Sequence, residues 1–170
     1  MSVFDKNKGL EVLVYIFQSI DNMYKALKVA FFADKLHLSR YGRTICGDRY
    51  IAMENGPVPS TLYNLIKKVR GDELYDYGSD FEDQLNRSFE FVAKNTITPL
   101  RSPDVDLLSN SDIECLDEAI SRIKHLSFSQ IKKLSHSMLS GDIEENGDIQ
   151  IENIIGDIPD KQEILDYINN

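Results

Sequence analysis

Only two cysteines, Cys46 and Cys115, occur in the 170-residue chain, and they stand far apart. That excludes a disulfide framework and a four-thiolate zinc site, and it suits a reducing cytosol. No apolar run approaches the ~20 residues a membrane span needs. Asp5, Lys6, Lys8 and Glu11 interrupt the apolar start, and no small-residue cleavage site follows a positive segment. A cytoplasmic protein with no membrane contact is expected. Phosphate cradles are missing too: Gly42, Gly47 and Gly56 stand singly, and no G-x-x-x-x-G-K-[ST] occurs. The three histidines, His37, His125 and His136, form no H-x-x-x-H pair and accompany no C-x-x-C. No metal and no cofactor are expected. Cations are in short supply, 19 Lys+Arg against 28 Asp+Glu, for a net charge of -9. That balance argues against nucleic acid as the partner.

What is present describes an ordinary globular chain, 42% hydrophobic and 28% charged. Its length suits one domain that buries ~70% of its unfolded surface. We expect a single domain over 1–170, with a core at 8–138 and an acidic C-terminal extension, 139–170, packed on it. The charge is uneven. Residues 1–70 carry 11 Lys+Arg against 6 Asp+Glu, while 71–170 carry 8 against 22. After Gly141 the acids Asp142, Glu144, Glu145, Asp148, Glu152, Asp157, Asp160, Glu163 and Asp166 face only Lys161. Such a run is either a solvated face or a surface that attracts a cationic protein.

Periodicity predicts a mainly α-helical α+β fold: a helical bundle with a short strand and a β-hairpin. Leu10, Leu13, Val14 and Phe17 space out one helix face over 8–19. Asp21 is a candidate cap for a central buried helix running to Leu38, which Gly42 stops. Residues 49–53 alternate as a strand, Glu54–Pro57 is turn chemistry, and Pro59 suits the first position of a helix closed by Gly71. Residues 72–87 read as a polar, tyrosine-rich loop with a short helical turn. Ser88–Ala93 and Thr96–Pro99 form a hairpin with Phe89 and Phe91 on one face. Two capping boxes follow, Ser111-x-x-Glu114 and Ser127-x-x-Gln130, the second opening a helix that Gly141 ends. Ile149–Ile151 is a brief strand, and Asp160-x-x-Glu163 caps a last helix. The order helix, helix, strand, helix, hairpin resembles a winged helix.

Residues chosen for backbone geometry and charge concentrate at 33–63. Asp34 and His37 lie three apart and share a helix face. With Arg40, Arg43, Asp48 and Arg49 they form a polar cluster. Read as chemistry, His37 is a general base oriented by Asp34, with Ser39 or Cys46 as nucleophile; no elbow or helix-start motif presents either. Read as structure, the cluster ties a loop to a helix end, which the missing nucleophile motif favours. A metal set of His37, Cys46 and Asp48 lacks further ligands at metal spacing. For nucleic acid, Lys67, Lys68 and Arg70 end one helix, where its dipole favours cations anyway. Tyr75 and Tyr77, in the polar loop, are the better interface tyrosines.

The ordered run Asp34, His37, Tyr41-Gly42-Arg43, Ile45, Gly47-Asp48, Tyr50, Ala52-Met53, Gly56-Pro57-Val58-Pro59 and Leu62-Tyr63 resembles the signature of the SocA-like antitoxins, the Panacea domain family. Leu108-Ser109-x-x-Asp112 and Leu126-Ser127 to Leu134-Ser135-His136 resemble its C-terminal helical pair. Met138-Leu139-Ser140 stands where the family often carries a tryptophan. The resemblance implies a small, mainly helical, non-enzymatic protein, often from a prophage or mobile element. It would neutralise a toxin encoded beside it by binding, or hand it to an ATP-dependent protease. A winged-helix-like DNA-binding regulator is the alternative. Tyr75, Tyr77, Glu144, Glu145 and Asp148 are the candidate partner contacts.

Overall fold

The computed structural model describes residues 3–73, 75–139, 141, 143–156 and 160–170. Ser140, Asp142 and Asp157, which belong to the readings of the tail above, lie outside the described residues.

Helix α1 (Lys6–Phe17) starts where the Asp5 carboxylate accepts from the N–H groups of Asn7 and Lys8, each at 3.1 Å. Helix α2 (Met23–Tyr41) is the central element: Leu27, Phe31, Phe32 and Ala33 are buried on several of its sides. Its cap is Asn22, not Asp21, because Asn22 accepts from Tyr24 N–H at 2.9 Å and Lys25 N–H at 3.1 Å. A tertiary contact makes that choice. Asp21 lends its carbonyl to Ile97 N–H (2.9 Å) and Asn22 bridges to Thr96, which holds Asn22 extended ahead of the helix. Gly42 ends α2 in the left-handed region at φ 74, as its sequence position predicts.

The strand read at 49–53 is β1 (Tyr50–Met53), but Gly56–Pro59 is not merely a turn: it is β2, paired antiparallel with Tyr50 opposite Pro59 and Met53 opposite Gly56. Two prolines are tolerated because β2 is the edge of a sheet ordered β2-β1-β5. Pro59 accordingly precedes helix α3 (Ser60–Arg70) instead of opening it, and Gly71 closes α3 at φ 90. Most of the supposed loop at 72–87 is a ten-residue helix, α4 (Ser79–Ser88), which buries Phe81 and Leu85. The second hairpin, β3 (Phe89–Ala93) with β4 (Thr96–Pro99), forms as predicted. Phe89 is buried, whereas Phe91, two residues on and next to a register shift before Ala93, is exposed.

Helix α5 (Asn110–Ile123) is opened by the box Ser109–Asp112, two residues earlier than Ser111–Glu114. The box at Ser127–Gln130 opens α6 (Phe128–Ser137), which stops well before Gly141. Strand β5 is only Asp148–Ile149; Gln150 then caps α7 (Ile151–Ile155). Helix α8 (Lys161–Asn169) forms without a side-chain bond from Asp160. The fold is thus α+β and mainly helical. The winged-helix order is not confirmed, since β5, not the second hairpin, completes the first sheet. β5 pairs with β1, Ile149, Ile154 and Ile155 are buried, and α7 and α8 contact α2. No helix among the described residues is long and apolar enough to cross a membrane.

Several cations of the first half meet acids of the second in space. Arg40 meets Glu114 at 3.0 Å and Glu118 at 2.7 Å; Lys67 meets Glu73 at 3.6 Å and Lys68 meets Glu82 at 2.9 Å. Arg70 pairs with Asp72. Buried Glu11, an interruption in the α1 sequence, receives Arg101 at 2.6 and 2.7 Å and the Asp104 N–H at 2.8 Å, fastening the chain after β4 to α1.

Candidate functional site

Every residue of the 33–63 polar cluster that faces inward is engaged, and the bonds are specific. Asp34 is buried at the middle of α2; one carboxylate oxygen accepts Ile45 N–H at 2.7 Å, the other Tyr50 O–H at 2.7 Å. Burial pushes Asp34 up to about 6 against the pull of those two donors. Asp34 therefore binds loop and strand and does not orient His37.

His37, fully buried, is held by different groups. Its Nδ1 lies 2.9 Å from the Arg43 carbonyl, which can only accept, so the proton sits on Nδ1. Nε2 is then the acceptor for the Ser111 hydroxyl at 2.9 Å, and Ser109 Oγ lies 2.9 Å from Ser111 Oγ. The result is a directed chain: Ser109 O–H to Ser111, Ser111 O–H to His37, His37 N–H to the loop carbonyl. Burial lowers the His37 pKa, which fits this neutral tautomer. Asp112, 3.3 Å from Nε2, collects Lys8 at 2.8 Å, Arg43 at 3.1 Å and the Ser109 N–H at 2.8 Å. Burial works against its charge, but Lys8 and the Ser109 N–H outweigh it and hold Asp112 below the usual carboxylate range.

Asp48 does a third job. Pro59 offers α3 no side-chain cap, and Asp48 supplies it from eleven residues away: its oxygens accept Thr61 N–H at 2.9 Å and Leu62 N–H at 2.8 Å, plus Arg49 N–H at 2.9 Å. Asp48→Ala should cost about 2–3 kcal/mol, the sum of a lost cap and buried N–H groups left unpaired, and Asp48→Asn about half that. Urea unfolding followed by circular dichroism measures it; an unchanged midpoint for Asp48→Ala would remove the capping role.

The remaining motif residues are placed as follows. Tyr41 packs on His37, ring centroids 4.8 Å apart, and donates to Glu114 at 2.6 Å. Gly42 faces Tyr167 of α8: a Cβ there would lie 2.8 Å from the ring. Gly47 has φ 78 and Gly56 φ 108. Buried Lys28 reaches the Pro57 carbonyl at 2.7 Å under the hairpin, and burial lowers it to about 8. The Cys46 thiol is buried and pushed well up by that burial, so it is not a thiolate nucleophile. Among the described residues no group of three or more His, Cys, Asp or Glu could hold a metal, so His37, Cys46 and Asp48 are not a ligand set. Ser109, Ser111, Asp112, Lys8 and Lys28 were not legible as partners of the cluster; only the Ser109–Asp112 box carried a local signal.

The family model described as antitoxin SocA-like, Panacea domain, matches residues 27–138, well over half the chain. The chain belongs to that family. No curated protein and no solved structure matches it. The Panacea match starts inside α2 and ends at Met138, the C-cap of α6, so it spans Asp34, His37, Asp48 and Asp112 together with all their partners except Lys8. An antitoxin family suggests a role in a toxin–antitoxin pair and a non-enzymatic one.

Of the expected contact residues, Tyr75 is exposed and stacks edge-on against half-buried Tyr77 at 4.7 Å. Glu144, Glu145 and Asp148 are exposed, and among the described residues they make no ion pair. They border β1, since Ile51 pairs with Asp148 and Ala52 N–H donates to Gly147 at 3.0 Å. The tyrosines line a different depression, beside Phe4 and Thr61.

Proposed function

We propose that this chain is the antitoxin of a toxin–antitoxin pair and neutralises its cognate toxin by direct binding. Its match to the antitoxin family over 27–138 carries the reading. We take 1–170 as one SocA-like unit, with 139–170 packed on the core. The side chains of the Panacea frame spend their hydrogen-bonding capacity internally, so recognition belongs to the surface around it. Glu144, Glu145 and Asp148, without an ion pair among the described residues and beside the first hairpin, are the acidic part of that surface; Tyr75 and Tyr77 are the apolar part. DNA binding is the weaker alternative, because Arg40, Lys67, Lys68 and Arg70 are already paired with acids.

Co-expression with the product of the neighbouring gene tests this. Growth arrest by that product should be relieved by this chain, and the two should purify as a complex. Raising salt from 50 to 500 mM should slow association about tenfold if the acidic loop steers a basic partner. Continued arrest with both proteins present would reject the reading. A salt-independent association rate would reject the part assigned to Glu144, Glu145 and Asp148.

A further inference from the structure

Four elements enclose a groove of about 550 Å³: the first half of α2, the β1–β2 hairpin, Tyr63 of α3 and the start of α6. Leu27, Val58 and Ile131, all buried, form its apolar floor. Tyr24, Met53 and Phe128 stand on its walls with 40%, 41% and 56% of their surface exposed, so three of the large apolar side chains left in water gather at one place. Its cations are Lys25, Lys28 and Lys132, and Glu54 is the one carboxylate on the lining. On a chain of net charge -9 that is a local reversal of sign.

The cations of the groove are used differently from the ion-paired cations elsewhere, and resemble Lys35 and Arg87, which donate to carbonyls. Arg40, Arg43, Lys67, Lys68, Arg70 and Arg101 each face a carboxylate. Among the described residues Lys25, Lys28 and Lys132 face none: Lys25 donates to the Lys124 carbonyl at 3.3 Å, and Lys28 to the Pro57 carbonyl at 2.7 Å. Lys28 is only 7% exposed, and an ammonium carries three donors, so that single bond leaves two without an acceptor among the described residues. A buried cation without a counter-charge is costly, and an arriving carboxylate would relieve it.

We propose that this groove docks an apolar segment of the toxin that carries a carboxylate, the apolar side chains seating on Leu27, Val58 and Ile131 and the carboxylate meeting the lysines. The inference rests on the toxin-binding reading above and adds the place and the chemistry of the contact. It makes the partner's face two-signed. The hairpin tip at Met53 and Glu54 separates this cationic groove from a neighbouring depression bearing Glu54 and Glu145. A toxin bound across the tip presents an acidic segment on one side and basic residues on the other.

Calorimetric titration of the purified chain with the neighbouring gene's product tests it, using Phe128→Ser and Lys132→Glu, both at exposed positions, and Val92→Ser on β3 as a control. Thermal midpoints within about 2 °C of wild type certify the fold of each variant. Phe128→Ser should weaken binding about 30-fold and Lys132→Glu about tenfold, with Val92→Ser unchanged. Wild-type affinity in both groove variants overturns the groove while leaving toxin binding intact. Tighter binding by Lys132→Glu means a basic segment and overturns the proposed chemistry. Absence of binding by the wild-type chain itself overturns the underlying function as well, and so is distinguishable from the other two outcomes.

Discussion

Asp34→Ala should lower the unfolding free energy by about 4 kcal/mol, because it strands two donors, Ile45 N–H and Tyr50 O–H, on residues that are both buried. Asp34→Asn keeps an acceptor oxygen and should lose about half as much. The pH dependence separates the two effects. Since the folded-state pKa of Asp34 is raised from 3.8 to about 6, the folded chain takes up its proton before the unfolded chain does. Its contribution to stability therefore grows as pH falls from about 6 towards 4, and ionisation removes it above pH 6. His37 acts in the opposite sense. Its pKa is lowered from 6.5, so its contribution is whole above pH 6.5 and is lost as pH falls. In the wild type the two trends oppose each other. In Asp34→Asn the Asp34 contribution is gone while the histidine trend stays, and stability should fall more steeply than in wild type between pH 6.5 and 4.5. Urea midpoints for both proteins across that range decide the matter; parallel curves would show that Asp34 does not titrate there.

Asp112→Ala is expected to be as damaging, about 3–5 kcal/mol, since it removes the common acceptor of Lys8, Arg43 and the Ser109 N–H, and the N-terminal box of α5 with it. Lys8 and Arg43 retain some access to water and can turn outward, so Asp112→Asn, which keeps the bond to Ser109 N–H, should recover more than half. Asp112 also favours the charged imidazole of His37. Its neutralisation should move the His37 pKa further down, which an NMR titration of the ring reads directly. A histidine that titrates as in wild type would mean that the 3.3 Å approach carries no electrostatic weight.

Most of the fold was written in local chemistry. Gly42, Gly71, the Ser127–Gln130 box and the alternation at Tyr50–Met53 were legible because each is decided by its own few residues. The errors came where two local solutions compete and distant contacts choose. Asp21 and Asn22 are both competent caps, and the second hairpin selects Asn22 through Ile97 and Thr96. The run LSNSDIE holds two overlapping boxes; burial of Asp112 among cations selects the first. Gly56–Pro59 has the composition of a turn and becomes a strand because an edge position asks little of a proline. Helix α4 could have been found from Phe81 and Leu85, four apart, had the surrounding acids and tyrosines not suggested a loop. In the site itself, the sequence identified the cluster but not its wiring. Asp34 and His37 share a helix face, yet they serve different partners: those of Asp34 lie within 16 residues along the chain, while His37 also reaches Ser111, 74 away.

That difference in span has a consequence for the entropy of closing the chain. The bonds that join α2 to the loop, the strand and α3 close short loops: 11 residues from Asp34 to Ile45, 16 to Tyr50, 13 and 14 from Asp48 to α3. The ties that bring in the later helices close loops of 74 and 90 residues, from His37 to Ser111 and from Glu11 to Arg101. Closure cost grows with the logarithm of loop length, and the shortest of these is favoured over the 74-residue one by about 1.7 kcal/mol. The signature stretch is thus a segment whose bonds can form before the rest of the chain is gathered, a template on which the C-terminal helices then settle.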